Sequence, residues 1–205
     1  MERFVSDLVD TQRRCGDEVA VLVHSSSSMG GGADPAWLWR CPVWFRLIFA
    51  PISPGFPLWL RRAIRAQMPD ILHLHMPNLS AFWALALPSA RRLPWVVHWH
   101  ADVVPSKHKL GLRLAYPLYR ILERYILDRA DVVVATSKPY LDSSKPLAPW
   151  HDKCRVVPLG MLPSRLPENP EATGSEAWLS QGLRVLSIGR LSYYKGFETL
   201  VQAVI

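Results

Sequence analysis

Short apolar runs alternate with helical segments along this chain, and no other feature constrains its fold as strongly. A helical stripe at residues 4–9 precedes the apolar run 19–23, and the same order then repeats. Strands are predicted at residues 19–23, 71–75, 95–99, 132–135 and 155–157, and helices at 58–67, 78–87 and 110–127. Uninterrupted apolar strands are typical of sheets covered on both faces. The sequence therefore predicts an α/β fold with a doubly wound parallel sheet.

The pattern is interrupted once and then restarts. Residues 162–182 are rich in Pro, Glu and Ser, which is the composition of a linker. A strand, a loop and the start of a helix follow. We therefore predict a first domain at 1–161, an interdomain linker at 162–182, and the start of a second domain at 183–205. Because the chain begins with a helix and stops within one, we expect a fragment that lacks material at both ends. We also expect that residues 1–205 alone turn over no substrate.

Charge and cysteine content limit the partners and the compartment. The net charge of +7 favours anionic partners, although an incidentally basic protein is an equal alternative. No nucleic-acid recognition motif accompanies the charge, so no nucleic-acid partner is expected. The three cysteines are widely spaced, which predicts a reducing, cytoplasmic setting without a disulfide framework. Four prolines within residues 41–60 argue against a membrane-spanning helix in the least polar stretch.

Aromatic and basic residues are mixed over residues 37–65. The set comprises Trp37, Trp39, Trp44, Phe45, Phe56 and Trp59 together with Arg40, Arg46, Arg61, Arg62 and Arg65. Such a mixture suits an anionic membrane surface, and it predicts a protein peripheral on the inner face of the membrane. The alternative is that the aromatic residues are core and the arginines a solvated helix face. The sequence leaves both interpretations open.

Polar residues interrupt two of the predicted strands. In "VVHWHADVV" (96–104), His98, His100 and Asp102 alternate and share one face of a strand, as do His73 and His75. His100 and Asp102 lie at the carboxyl end of the strand, where doubly wound sheets bind ligands. For His73 and His98 a satisfied buried histidine is the favoured interpretation. For His75 the sequence leaves open whether the ring is a buried core histidine or part of the site.

A metal-dependent hydrolase is the rival interpretation of these histidines. The pattern H-x-H-x-D opens the ligand set of metallo-β-lactamase-like enzymes, but Val103 stands where the next histidine would be. Only His108 and His151 remain downstream, and a catalytic zinc needs three protein ligands with supporting partners. We therefore predict no metal site. No residue has the setting of a serine or cysteine nucleophile.

The stretch "SIGRLSYYKGF" (187–197) is a candidate diphosphate cradle. Gly189 ends the predicted strand, Arg190 and Lys195 lie in the loop, and Gly196 opens the next helix. A guanidinium fork, an ammonium group and a helix N-terminus are the groups that bind diphosphates. A solvated loop with two surface cations is the alternative.

With this loop the sequence resembles the retaining glycosyltransferases of the GT-B fold, family 4, in which two Rossmann-like domains face each other across a cleft. The resemblance rests on "MERFVSDLVDTQRRCGDEVAVLV", on "PDILHLHMP" with "PWVVHWHADVV", on "ADVVVATSKPYLDSS" with "KCRVVPLGM", and on "VLSIGRLSYYKGFETLVQAV". It implies that residues 1–161 form the Rossmann-like acceptor-side domain and that 183–205 begin a Rossmann-like donor domain.

The resemblance also implies roles for single residues. Gly189, Arg190 and Lys195 would bind the donor diphosphate. His100 would face the donor sugar as a catalytic residue, with Asp102 beside it to orient its imidazole. The remaining two implied positions are Ser137 and Gly160, at the cleft or hinge. Residues 161–163 depart from the family pattern, which has an acidic residue there, and this leaves the course of the hinge open.

The implied activity is transfer of a sugar from a nucleotide-diphosphate sugar to a glycan or lipid-linked acceptor, with retention of configuration. The expected setting is the synthesis of cell-surface polysaccharide such as lipopolysaccharide. No cofactor and no metal would be required. A non-catalytic sugar- or nucleotide-binding module is the second alternative beside the hydrolase. The sequence does not predict the sugar, the base or the acceptor.

Overall fold

The computed structural model describes residues 2–25, 34–47, 50–103, 110–160, 162, 185–189 and 195–204. Two compact units divide the chain, Met1–Leu162 and Pro163–Ile205. The predicted linker at 162–182 lies outside the described residues except for Leu162, and the proposed domain boundaries stay predictions.

A parallel sheet of four strands forms the centre of the first unit. The strands are β5 (Leu72–Met76), β6 (Trp95–Trp99), β7 (Val132–Ala135) and β8 (Cys154–Val156), hydrogen-bonded in that order. Strands β6 and β7 have the predicted bounds, and β5 and β8 lie within one residue of theirs. The predicted α/β class with a parallel, Rossmann-like sheet is confirmed.

Further strands lie outside this sheet. Strand β1 (Val21–Ser25) pairs in parallel with β2 (Leu38–Pro42), and β3 (Phe45–Leu47) forms an antiparallel hairpin with β4 (Ala50–Ile52). Strands β2 to β4 were not predicted, because they are short and contain arginine or proline in place of an apolar run. Pro42 and Pro51 lie at a strand end and in a two-stranded ribbon, positions where a strand tolerates proline.

The helices of the first unit cover the sheet. They are α1 (Glu2–Arg14), α2 (Phe56–Gln67), α3 (Trp83–Ala86), α4 (Pro88–Arg91), α5 (Leu110–Arg129) and α6 (Lys138–Ser143). Gly16 follows α1 with φ of +97°, as a C-terminal glycine cap requires. The predicted helix 78–87 is divided: Asn78 caps a 3-10 turn at Leu79–Phe82, and α3 follows.

One face of the sheet carries the apolar core. Trp95, Val97 and Trp99 of β6 are buried beside Val133 and Ala135 of β7. Strand β6 is in contact with α5, and β7 with α6; Ile126 and Leu127 of α5 belong to the same buried cluster. The opposite face of β5 and β6 carries histidines and lies against Phe4 of α1.

In the second unit, helix α7 (Phe197–Val204) begins after Gly196, whose φ of +68° lies in the left-handed region. Residues 185–188, predicted to be a strand, form no ladder with any described residue. A strand is defined by its pairing, and no described residue pairs with the backbone N–H and C=O groups of this segment. Within the described part of the chain, no helix is long and apolar enough to cross a membrane.

Two leucines of α5 allow the packing against the sheet to be tested on a single helix. Leu127 is fully buried and Leu118 is 63% exposed. We expect Leu127→Ala to lower the free energy of unfolding by about 2–5 kcal/mol, because it leaves a cavity in the core. The matched change Leu118→Ala should alter it by less than about 0.5 kcal/mol. Urea unfolding followed by circular dichroism measures both, and equal losses would contradict this assignment of the helix faces.

Candidate active site

The sheet register brings four histidines together at one edge of the first unit. In the parallel pairing of β5 with β6, His75 lies opposite His98, and His73 lies two residues earlier on the same face. His100 follows the end of β6, where its backbone N–H donates to the carbonyl of Met76 at 2.9 Å. We call His73, His75, His98 and His100 the histidine cluster.

A direct hydrogen bond joins two members of the cluster. His75 Nδ1 and His100 Nε2 are 3.0 Å apart, so one ring donates and the other accepts. The ring of His98 stacks on that of His100, with centroids 4.4 Å apart and planes 2° from parallel. The ring of His75 also stacks on that of His100, with centroids 5.3 Å apart, so one hydrogen bond and two stacking contacts orient His100.

Helix α1 covers the cluster through a single aromatic side chain. The edge-to-face contacts of Phe4 have centroid distances of 5.1 Å to His98 and 5.5 Å to His100. In the sequence Phe4 belongs to an ordinary apolar stripe, and no local signal indicates that it contacts histidines. Only the packing of α1 on the sheet reveals this.

Burial makes the histidines poor bases. It is the largest cause that lowers the pKa of His75 to about 3, and the neighbouring histidines add to it. Burial likewise lowers the pKa of His98 and of His100 to about 4, and it lowers the pKa of His73. All four rings are therefore neutral at pH 7, and they act as hydrogen-bond donors and acceptors instead of cations.

Asp102 belongs to a different network. Its Oδ1 accepts hydrogen bonds from Trp99 Nε1 at 2.8 Å, from the Tyr140 hydroxyl at 2.5 Å and from Ser144 Oγ at 2.9 Å. These contacts tie the loop after β6 to helix α6. The expected hydrogen bond between Asp102 and the His100 ring is not formed, because the carboxylate faces α6 and His100 pairs with His75. The catalytic roles of both residues stay predictions.

The two implied cleft or hinge residues follow the next strands of the sheet. Ser137 comes two residues after β7, and its Oγ accepts the backbone N–H of Tyr140 at 3.3 Å as the N-cap of α6. Gly160 comes after β8, is exposed and has open space where a side chain would begin. Both lie beyond carboxyl ends of parallel strands, the same edge as His100.

The second unit holds the candidate diphosphate residues. Gly189 lies close to the ring of Phe197, and a Cβ at this glycine would be 3.2 Å from the ring. Lys195 is exposed just before α7. Arg190 lies outside the described residues. Their binding roles stay predictions.

The H-x-H-x-D set of the rival metal interpretation is not assembled among the described residues. Asp102 faces Trp99, Tyr140 and Ser144, and it is not grouped with His98 and His100. Among the described residues, a different trio has the spacing of a metal site: His73, His75 and His98 each present one ligand atom, all within 4.8 Å of one another.

Comparisons with known proteins agree with the resemblance seen in the sequence. The family described as "Glycosyl transferase 4-like domain" matches residues 1–160. O-antigen chain mannosyltransferase C of Escherichia coli is 29% identical over 136 residues, which cover 65% of this chain and 34% of that protein. D-rhamnosyltransferase WbpZ of Pseudomonas aeruginosa is 30% identical over 163 residues, which cover 78% of this chain and 41% of that protein. The matches thus span between about a third and two fifths of these relatives.

The lowered pKa values predict a stability that depends on pH. An unfolded histidine has a pKa near 6.5, whereas His75 has one of about 3 in the folded protein, so unfolding takes up protons below pH 6.5. The contribution of this neutral histidine to the free energy of unfolding should be fully present above pH 6.5, and it should decrease as the pH falls towards 4. Each such histidine contributes at most about 1.4 kcal/mol per pH unit.

Urea unfolding between pH 7.5 and 4.5 measures the slope of the free energy of unfolding against pH. We expect His75→Gln to make it shallower, because one titrating group is removed from the cluster. The control Gln67→Ala changes an exposed side chain of α2 that does not titrate, and it should leave the slope as it is. An unchanged slope in the His75 variant would contradict the assigned pKa.

Proposed function

The chain belongs to the glycosyl transferase 4-like domain family, and from this we propose that the protein transfers a sugar from a nucleotide-diphosphate sugar to a glycan or lipid-linked acceptor. The family match over residues 1–160 is the observation that carries the proposal. The parallel sheet supports it, because polar residues follow the carboxyl ends of strands β6 and β7, where such sheets bind ligands. Transfer proceeds with retention of configuration, and neither a metal nor another cofactor takes part.

In this proposal His100 contacts the donor sugar. Its ring is neutral at pH 7, so it exchanges hydrogen bonds with a sugar hydroxyl and does not supply a positive charge. The hydrogen bond between His75 Nδ1 and His100 Nε2 couples the tautomers of the two rings, because only one of these nitrogens carries the shared proton. Asp102 is engaged by three donors and does not have the setting of a nucleophile. Asp102 supports the site by holding the loop after β6.

Charge on the leaving group is compensated in the second unit. Arg190 and Lys195 neutralise the developing diphosphate, and Gly189 lets the loop approach it closely. Rate enhancement then comes from positioning of donor and acceptor together with this electrostatic stabilisation. A double displacement would need two carboxylates that flank the bond, and the carboxylate of Asp102 is already hydrogen-bonded within the protein.

The names of the two relatives suggest the sugar. One is called a mannosyltransferase and the other a D-rhamnosyltransferase. D-rhamnose is 6-deoxy-D-mannose, so both sugars have the same configuration at the ring carbons. We therefore propose a donor of manno configuration and an acceptor in the assembly of O-antigen-type polysaccharide.

The acceptor side of the proposal includes a membrane surface. Trp44 is 70% exposed and Phe45 54% exposed on the β3–β4 hairpin, close in sequence to exposed Arg46. Helix α2 adds exposed Leu58 and, in its later turns, the exposed arginines Arg61, Arg62 and Arg65. Phe56 is buried, so the aromatic residues of this region divide between core and surface. The exposed part suits peripheral contact with anionic lipid on the cytoplasmic face.

Transfer can be tested with a full-length protein that contains this chain, a panel of nucleotide sugars and a lipid-linked acceptor, with products identified by mass spectrometry. We expect transfer from manno-configured donors, and loss of about 100-fold or more in His100→Ala, because a preorganised hydrogen bond to the reacting sugar is removed. The control His151→Ala should keep full activity. Equal activity of the His100 variant would remove the proposed role of this residue.

Binding of the donor can be measured without turnover. We expect Arg190→Ala and Lys195→Ala each to weaken binding of a nucleoside diphosphate by more than about tenfold, because each removes a charge-assisted contact. Isothermal titration calorimetry in the protein carrying these residues measures the effect, with Lys138→Ala, an exposed lysine of the first unit, as the control. Unchanged affinity in both variants would remove the diphosphate site.

A further inference from the structure

Three histidines of the cluster are arranged as potential ligands of one cation. His73 and His75 project from β5 and His98 from β6, all on the same face of the sheet. One ring nitrogen from each lies within 4.8 Å of the other two. Three ligands on two paired strands form a more rigid set than ligands on loops, because the ladder fixes their backbones.

Two of these rings have an atom with no partner. The Nε2 atoms of His73 and His98 are both buried, and neither has a hydrogen bond to any part of the chain that the structure describes. A buried polar atom without a partner costs about 1–3 kcal/mol. The α1 side chain that contacts His98 is the apolar Phe4, whose ring centroid is 5.1 Å from that of His98 and which has no polar atom to pair with this nitrogen.

The donor chemistry selects the kind of cation. The trio offers three imidazole nitrogens, whereas the carboxylate of Asp102 is held by Trp99, Tyr140 and Ser144. Imidazole suits zinc, nickel, cobalt and copper, whereas magnesium and calcium prefer oxygen ligands. Three protein ligands also leave further coordination positions for water.

We propose that His73, His75 and His98 form a binding site for one late first-row divalent cation such as Zn²⁺ or Co²⁺. When the cation binds, the three rings coordinate it and no longer stack on one another. Their planes lie within 25° of parallel, and their in-plane lone pairs must turn towards a common point about 2.0–2.1 Å away. The site is separate from the transfer chemistry, which uses no metal in the proposal above.

Occupancy has a consequence for His100. This ring is 3.0 Å from His75 through a nitrogen–nitrogen hydrogen bond and stacks on His98. A cation on His75 and His98 therefore changes the surroundings of the residue assigned to the donor sugar. This consequence rests on the proposed function, whereas binding of the cation does not.

The test uses the untagged chain and Zn²⁺ or Co²⁺ alone, so that its outcome is independent of any transfer activity. Calorimetry should show one cation per chain, and Co²⁺ should give the visible absorption of a nitrogen-ligated site. We expect His73→Gln and His98→Gln each to weaken binding at least tenfold. His24→Gln and His151→Gln, changed outside the trio, should bind as the unmodified chain does.

Binding weaker than about 1 mM, or equal binding by all four variants, would overturn the proposal. Because His98 is buried and its variant can fail to fold, the unmodified chain gives a second readout. Diamagnetic Zn²⁺ should shift the imidazole resonances of His73, His75 and His98 and leave those of His24 and His151 in place. Shifts confined to His24 or His151 would overturn the site as well.

Discussion

Parallel pairing between β5 and β6 fixes what each face of the sheet carries. With the observed register, Trp95, Val97 and Trp99 lie in the apolar core, and His75 and His98 lie side by side on the opposite face. A slip of one residue along β6 would exchange these two sets, placing imidazoles in the core and indoles against α1. The burial of two tryptophans therefore determines where the histidines lie. The position of the candidate site is thus a consequence of how the apolar core packs.

The polar groups at this edge of the sheet divide into two networks with different tasks. Asp102 accepts hydrogen bonds from Trp99, Tyr140 and Ser144, and it thereby joins the end of β6 to α6. The histidines contact one another and Phe4, and their burial keeps them neutral. A carboxyl group that accepts hydrogen bonds from three residues stabilises the loop, whereas the neutral rings remain available to hydroxyl groups or cations. The alternation of residues along the strand predicts that Asp102 and the histidines lie at this edge. It does not predict that Asp102 contacts α6 while the histidines contact one another.

The sequence predicted the elements whose signal is local. Strand β6 and helix α5 have long apolar runs or stripes, and their predicted bounds agree with the structure to within two residues. Strands β2 to β4 are short and interrupted by arginine or proline, and they form because a neighbouring segment pairs with them, which no single window of sequence contains. The same reason explains the site: the hydrogen bond between His75 and His100 joins residues 25 positions apart. That Asp102 faces α6 depends on where Tyr140 lies, which is equally non-local.

Four neighbouring imidazoles on the covered face of a sheet make the fold less stable than apolar side chains would. Val132 and Val134 occupy the corresponding face of β7, which shows that apolar side chains suit this layer. Leucine or phenylalanine at the histidine positions would avoid the buried unpartnered nitrogens and would add no group that titrates below pH 6.5. Natural proteins break such local rules mainly at functional sites, where stability is given up for chemistry. The departure from apolar packing in β5 and β6 is therefore itself an argument that this edge of the sheet contacts a ligand.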